Sequence, residues 1–191
     1  MERFGFDAKP QLDYPADQMS SSGEYRNGKL ISPTSRFVDV GRMGIGQDKL
    51  AVTPLQMAEV AAAVANGGKL MKPHFTDRIV DTDGRTVERI KPAVQSTVMK
   101  ASTASAVTAM MEGVVNSGTG TQAQIPGVRV AGKTGTAETQ IGKTTNNVWF
   151  IAFAPADNPR VAIAVTLEHQ IGFGGDLAAP VAKTVMESLL K

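Results

Sequence analysis

Residues 128–138 read Val-Arg-Val-Ala-Gly-Lys-Thr-Gly-Thr-Ala-Glu, and at their centre Lys133-Thr134-Gly135-Thr136 sets a cation, two hydroxyls and a residue without a side chain side by side. Such a cluster suits an anionic ligand, and two unrelated chemistries use one. Gly127 to Thr134 fits G-x-x-x-x-G-K-[ST], the loop that cradles phosphates. The same residues also suit a strand that carries its anion-holding groups along one edge. A phosphate loop lies between a strand and a helix whose N-terminus receives the anion.

The neighbours of the cluster argue for the strand. Ile125-Pro126 precedes Gly127, where a phosphate loop needs a strand, and Val128-Arg129-Val130 alternates inside the supposed loop. After Lys133-Thr134 come Gly135-Thr136 and then Ala137-Glu138-Thr139-Gln140-Ile141-Gly142, which is poor helix. No buried strand ends in an acid placed for magnesium. The nucleotide-binding reading therefore stands as the weaker alternative.

Downstream, Val148–Ala154 and Arg160–Leu167 are nearly continuous apolar runs, as in strands covered on both faces. The short Pro155–Pro159 link makes them antiparallel neighbours. With Gly127–Glu138 they give three sheet strands, and Leu177–Lys191 closes the chain as a helix with Pro180 near its first turn and Val181, Val185 and Leu189 towards a core. Upstream, Thr53-Pro54 is an N-cap and first-turn pair, and Gly67-Gly68 ends that helix after an Ala-rich run whose narrow apolar face is Leu55, Ala58, Ala62 and Ala65. A strand over Lys69–Phe75 follows. Arg78–Val80 and Thr86–Ile90 flank Asp83-Gly84 as a surface hairpin. Ser102–Val115 reads as a second helix with Ala106, Val107, Met110, Met111 and Val114 buried. The division is a wrapping loop region over 1–52, a helical part over 53–126 with the 78–90 hairpin, and the sheet strands with the terminal helix over 127–191. The fold class is mixed α/β (α+β), an antiparallel sheet flanked by helices.

Composition narrows the chemistry. The 191 residues carry 20 basic and 18 acidic side chains, a net charge of +2, and no basic run, so a nucleic-acid surface is not expected. With no cysteine, thiol nucleophiles and thiolate metal sites are excluded. Only His74 and His169 are available as histidine ligands, far apart and without carboxylates at ligand spacing, so neither metal nor other cofactor is expected. Trp149 fits cleft-wall or core packing. No apolar run reaches the length that spans a bilayer.

The Lys-Thr-Gly triplet is one of three elements of penicillin-binding proteins and serine β-lactamases. Around it, Gly118-Thr119-Gly120, Ala131-Gly132-Lys133-Thr134-Gly135-Thr136-Ala137-Glu138 and Trp149–Pro155 resemble the penicillin-binding transpeptidase family. So do Gly44-Ile45-Gly46-Gln47, Thr53–Ala58, Ala65-Asn66-Gly67-Gly68 and Lys72-Pro73-His74, in the family's order. The blocks favour a cell-wall transpeptidase over a β-lactamase. The family's other two motifs are Ser-x-x-Lys, which holds the nucleophile, and Ser-x-Asn. Ser-x-Asn does not occur, and Ser-x-x-Lys occurs only as Ser188–Lys191 on the terminal helix.

The resemblance implies a chain that matches the C-terminal part of a transpeptidase domain. The nucleophile and any membrane anchor are then expected on an N-terminal half outside it. It implies serine acyl transfer on the D-Ala-D-Ala end of peptidoglycan stem peptides, with β-lactams as further ligands, at the extracytoplasmic face of the membrane. Lys133 and Thr136 are the expected catalytic residues, the first as positive potential and the second through an oxyanion-hole N–H. Thr134 and Gly135 are expected to bind substrate. A non-catalytic module that binds penicillin or peptide is the alternative.

Overall fold

A computed structural model describes residues 1–47, 49–138 and 144–191. Two short 3-10 turns, Glu2–Phe4 and Ala16–Gln18, lead into β1 (Gly23–Arg26), β2 (Lys29–Leu30), α1 (Val40–Gly44) and β3 (Leu50–Ala51). Then come α2 (Pro54–Ala65), β4 (Lys69–Met71), β5 (Arg78–Val80), β6 (Thr86–Arg89), β7 (Val94–Thr97) and α3 (Ala101–Ser117). The last part holds β8 (Ala131–Glu138), β9 (Asn146–Ala154), β10 (Val161–Gln170) and α4 (Gly174–Leu189). Among the described residues no helix is long and apolar enough to cross a membrane.

The central sheet is antiparallel, in the order β10-β9-β8, with Gly135 opposite Trp149 and Ala131 opposite Phe153. Side chains alternate across it. One face carries Phe150, Ala152 and Ala154, and α4 covers it with Ala178, Ala179, Ala182 and Met186. The other face carries Ala131 and Phe153, covered by Val64 of α2 and Met111 of α3. Phe150 and Phe153 are completely buried on opposite faces, which explains why β9 reads as an unbroken apolar run. The outer edges of β8 and β10 have no strand neighbour among the described residues.

The capping residues act as their chemistry dictates. Thr53 caps α2 by accepting the Gln56 N–H at 3.1 Å, with Pro54 in the first turn. The 78–90 segment is an exposed hairpin turning at Gly84, whose φ of +80° needs a residue without Cβ. Arg129, just before β8, donates from Nε and Nη2 to the two Glu112 oxygens of α3 at 2.8 and 2.9 Å, fixing the entry into the central strand.

Several expected details differ. Residues 1–52 are not only wrapping loop, because β1–β3 form a small sheet in the order β2-β1-β3. Its strands of two to four residues are too short to show a period. The strand expected over Lys69–Phe75 ends at Met71, and it pairs with β7, which was not anticipated. Pro73 has no N–H to give to a ladder. On α2 the buried positions are Gln56, Glu59, Ala61, Ala63 and Val64, while Leu55, Ala58, Ala62 and Ala65 are only half-buried. This helix touches β10, β9, β4 and α3, so more than one stripe is covered. On α3, Met110 is 64% exposed, and the buried line is Ala104, Met111 and Val115.

The terminal helix starts at Gly174, three residues before its expected Leu177 start, which leaves Pro180 in the second turn. Val181, Val185 and Leu189 face outwards rather than into the core. The small residues Gly174, Gly175, Ala178, Ala179 and Ala182 are the buried ones, because they let the helix lie close against the sheet. Larger residues in its first two turns would hold it off, whereas the buried Met186 lies in the last turns.

Glu59 has a thermodynamic consequence. Its side chain is 9% exposed on α2, faces a cleft of about 530 Å³ beside Ala62, Leu70 and Ala162, and has no hydrogen-bond or ion-pair partner among the described residues. Burial pushes its pKa up from 4.5 to about 7. The folded state therefore holds the proton more tightly than the unfolded one. The contribution of Glu59 to stability is largest below about pH 4.5, declines between there and about 7, and is flat above. The loss is on the order of 1–2 kcal/mol once discounted for water reaching the cleft. Urea unfolding of the wild type at pH 5 and pH 8 should reveal this decline, and Glu59→Gln should remove it.

Candidate active site

The site is built on the free edge of β8. In an antiparallel strand, successive residues turn their N–H and C=O together, first to one neighbour and then to the other. The Thr136 C=O accepts from Gln47 Nε2 at 3.3 Å, and the Glu138 N–H donates to Gln47 Oε1 at 3.3 Å. Even-numbered residues of β8 thus turn their backbone groups away from β9. It follows that the Thr136 N–H also points out of the sheet, and it has no acceptor among the described residues. The outward Thr134 C=O accepts from Lys133 Nζ at 2.7 Å.

Side chains divide differently. Lys133 and Gly135 share the face with Ala131, opposite Ile151 and Trp149, while Thr134 and Thr136 lie on the α4 face. A cleft of about 560 Å³ opens on the first of these faces, bordered by Gly135, Thr136, Trp149, Gln47, Met57 and Phe6. Gly135 and Thr136 line it; Lys133 and Thr134 do not. Lys133 is exposed and curls over the strand edge, and the Thr134 hydroxyl stands 2.7 Å from that of Thr119. Trp149 is a half-buried cleft wall, a role within its expected range.

The backbone here is held by close packing that only glycine permits. A Cβ on Gly132 would overlap the Phe150 ring. A Cβ on Gly174 would overlap Trp149 O and stand 2.6 Å from Gly135 O, so the first turn of α4 presses on the strand pair behind the site. Gly175 meets the Thr119 carbonyl in the same way. Phe173, the residue before this turn, is 66% exposed.

This geometry excludes the phosphate loop. Lys133 and Thr134 sit mid-strand, paired with Ile151 and Phe150, and the strand runs on to Glu138 where a phosphate loop would open a helix. Residues 139–142, expected to be poor helix, lie outside those described. Ser188 is exposed near the far end of α4, about 20 Å along the helix from Gly174 at 1.5 Å per residue. It is not placed to serve this edge. His74 Nδ1 lies 2.8 Å from Thr76 O, and His169 sits at the β10 irregularity with φ of 55°. His74 therefore has a partner that its sequence context did not reveal.

Two contributors carry no expected role from sequence: Gln47 on the strand edge and Thr119 beside Thr134. Both lie inside quoted blocks, Gly44–Gln47 and Gly118–Gly120, so their presence near a site was signalled and their contacts were not.

The sequence model of the family described as penicillin binding protein transpeptidase domain matches residues 1–187. The chain is 36% identical over 167 residues to the peptidoglycan D,D-transpeptidase PbpA of Mycobacterium tuberculosis, covering 84% of this chain and 34% of that protein. With stage V sporulation protein D of Bacillus subtilis it shares 34% identity over 197 residues, 98% of this chain and 29% of that protein. It spans about a third of the length of these curated relatives. The crystal structure of PBPA from Mycobacterium tuberculosis superimposes with a TM-score of 0.81 at 33% identity, covering 100% of this chain and 42% of that one. A penicillin G acyl-enzyme complex of penicillin-binding protein A from the same organism also gives 0.81, at 34% identity and with the same coverage. The likeness in sequence and in fold runs over nearly the whole chain, and the chain belongs to the penicillin-binding protein transpeptidase domain family.

Proposed function

We propose that this chain supplies the substrate-holding side of a serine D,D-transpeptidase that cross-links peptidoglycan, with the nucleophile on a segment outside residues 1–191. The observation that carries the reading is the outward Thr136 N–H at the free edge of β8, beside the cleft that Gly135 and Trp149 wall. An extended peptide can add to such an edge through its backbone.

In this reading the serine Oγ attacks the carbonyl carbon of the penultimate D-Ala. The carbonyl oxygen gains negative charge, and the Thr136 N–H is one of the donors that receive it. The C–N bond then breaks, the terminal D-Ala leaves as an amine, and the amine of a second stem peptide later takes the acyl group from the serine. Lys133 adds positive potential along the edge. The Thr134 and Thr136 hydroxyls hold the substrate carboxylate, with Thr119 orienting the Thr134 hydroxyl from 2.7 Å. Gly135 leaves the cleft floor open to the peptide. A β-lactam carbonyl takes the same place as the D-Ala carbonyl. The substrate puts the site on the extracytoplasmic face of the cell membrane, with any anchor on another segment.

The test joins the chain to a segment bearing Ser-x-x-Lys and Ser-x-Asn. The folded product is expected to release D-Ala from an acyl-D-Ala-D-Ala peptide and to transfer the acyl group to an added amine. Reversible binding of that peptide with no D-Ala release would favour the non-catalytic module instead.

A further inference from the structure

The free edge of β8 is not bare. Of its outward backbone groups, the Thr134 C=O is taken by Lys133 Nζ at 2.7 Å, and the Thr136 C=O and Glu138 N–H by the two ends of the Gln47 carboxamide at 3.3 Å each. A primary amide has the donor and the acceptor of a peptide group. Gln47 therefore offers the edge, from one carboxamide, an N–H and a C=O such as a neighbouring strand would supply from two of its residues. It comes from 89 residues away in sequence, so the contact is tertiary and not a local turn. The Thr134 and Thr136 carbonyls are capped, while the Thr136 N–H is left open to the cleft. An edge in this state also offers little to a second copy of the sheet.

An extended acyl-donor peptide cannot lie along β8 with Gln47 in place. In an antiparallel pair, opposed residues exchange both hydrogen bonds. A substrate residue whose scissile carbonyl accepts from the Thr136 N–H therefore brings its own N–H to the Thr136 C=O, where Gln47 Nε2 now sits. The next part of the peptide runs past Glu138, where Gln47 Oε1 sits. We propose that Gln47 is a place-holder for the acyl donor's backbone amide, released from the edge as the substrate strand docks. This rests on the transpeptidase reading. It makes Gln47 a specificity-determining residue: ligands with an amide next to the reactive carbonyl must displace it, and ligands without one need not.

Penicillins carry that amide as their acylamino side chain, whereas the carbapenem imipenem has a hydroxyethyl group there. Gln47→Met keeps the volume of the side chain and removes both hydrogen bonds. In the chain joined to a segment bearing Ser-x-x-Lys, the variant should speed acylation by penicillin G about 3- to 10-fold, the worth of one neutral hydrogen bond no longer contested. Acylation by imipenem should stay as in the wild type. Slower or unchanged penicillin G acylation, or an equal shift for both drugs, overturns the proposal. In the chain by itself, Gln47→Met should accelerate hydrogen exchange at the Glu138 amide; unchanged exchange there counts against the Gln47 contact alone. A folded wild-type protein that neither drug acylates counts against the transpeptidase reading.

Discussion

Thr136→Pro in the acylation-competent protein should slow β-lactam acylation by roughly 100- to 1000-fold, the typical loss when one oxyanion donor is removed. The substitution removes the outward N–H at position 136 and, with the side chain, the hydroxyl. Proline is tolerated in strands where its nitrogen faces away from the ladder, and β8 is an edge whose Thr136 backbone groups face away from β9. The β8–β9 pairing through the odd-numbered residues should survive. Thr136→Val, which keeps the N–H and loses the hydroxyl, should cost much less in acylation rate. Stopped-flow acylation with a chromogenic β-lactam measures both. Equal rates for Thr136→Pro and the wild type would remove Thr136 from the oxyanion site.

Gly174→Ala should be among the most damaging single methyl additions in the chain. Its Cβ would overlap Trp149 O and come to 2.6 Å from Gly135 O. Both are backbone atoms of the central sheet, so neither can rotate away. Relief requires moving α4 or the strand pair beneath it, at a cost of about 3 kcal/mol or more. That is a large part of the 5–15 kcal/mol that holds a typical domain. The same substitution at Gly113, on the exposed side of α3 with nothing within 4 Å of the added carbon, should stabilise by about 0.5–1 kcal/mol. Urea midpoints for the two variants should move in opposite directions.

The contrast between those glycines also shows where sequence reasoning stops. Both are a single letter, and only the tertiary fold shows that one lies against backbone and the other against water. Elements with a local chemical signature were legible: Thr53-Pro54 starting α2, Asp83-Gly84 turning the hairpin, and the apolar runs of β9 and β10 joined by a short link. The Lys133–Thr136 edge was legible as a strand from the alternation of Val128-Arg129-Val130 and the poor helix after it, although the strand expected from Gly127 begins only at Ala131. Helix faces were the least legible. Val181, Val185 and Leu189 lie on the larger apolar stripe of α4, yet the sheet takes the small-residue side, since close approach matters more there than side-chain area. Gln47 was out of reach for another reason: a polar side chain that caps a strand 89 positions away leaves no periodic trace.

The most direct test of the account is gel detection of a fluorescent penicillin on this chain alone and on the chain joined to a segment bearing Ser-x-x-Lys, followed by peptide mapping of the adduct. The account predicts no covalent label on the isolated chain, and a label on the joined protein at the serine of the added segment. A covalent adduct on any residue of 1–191, Ser188 included, would contradict it.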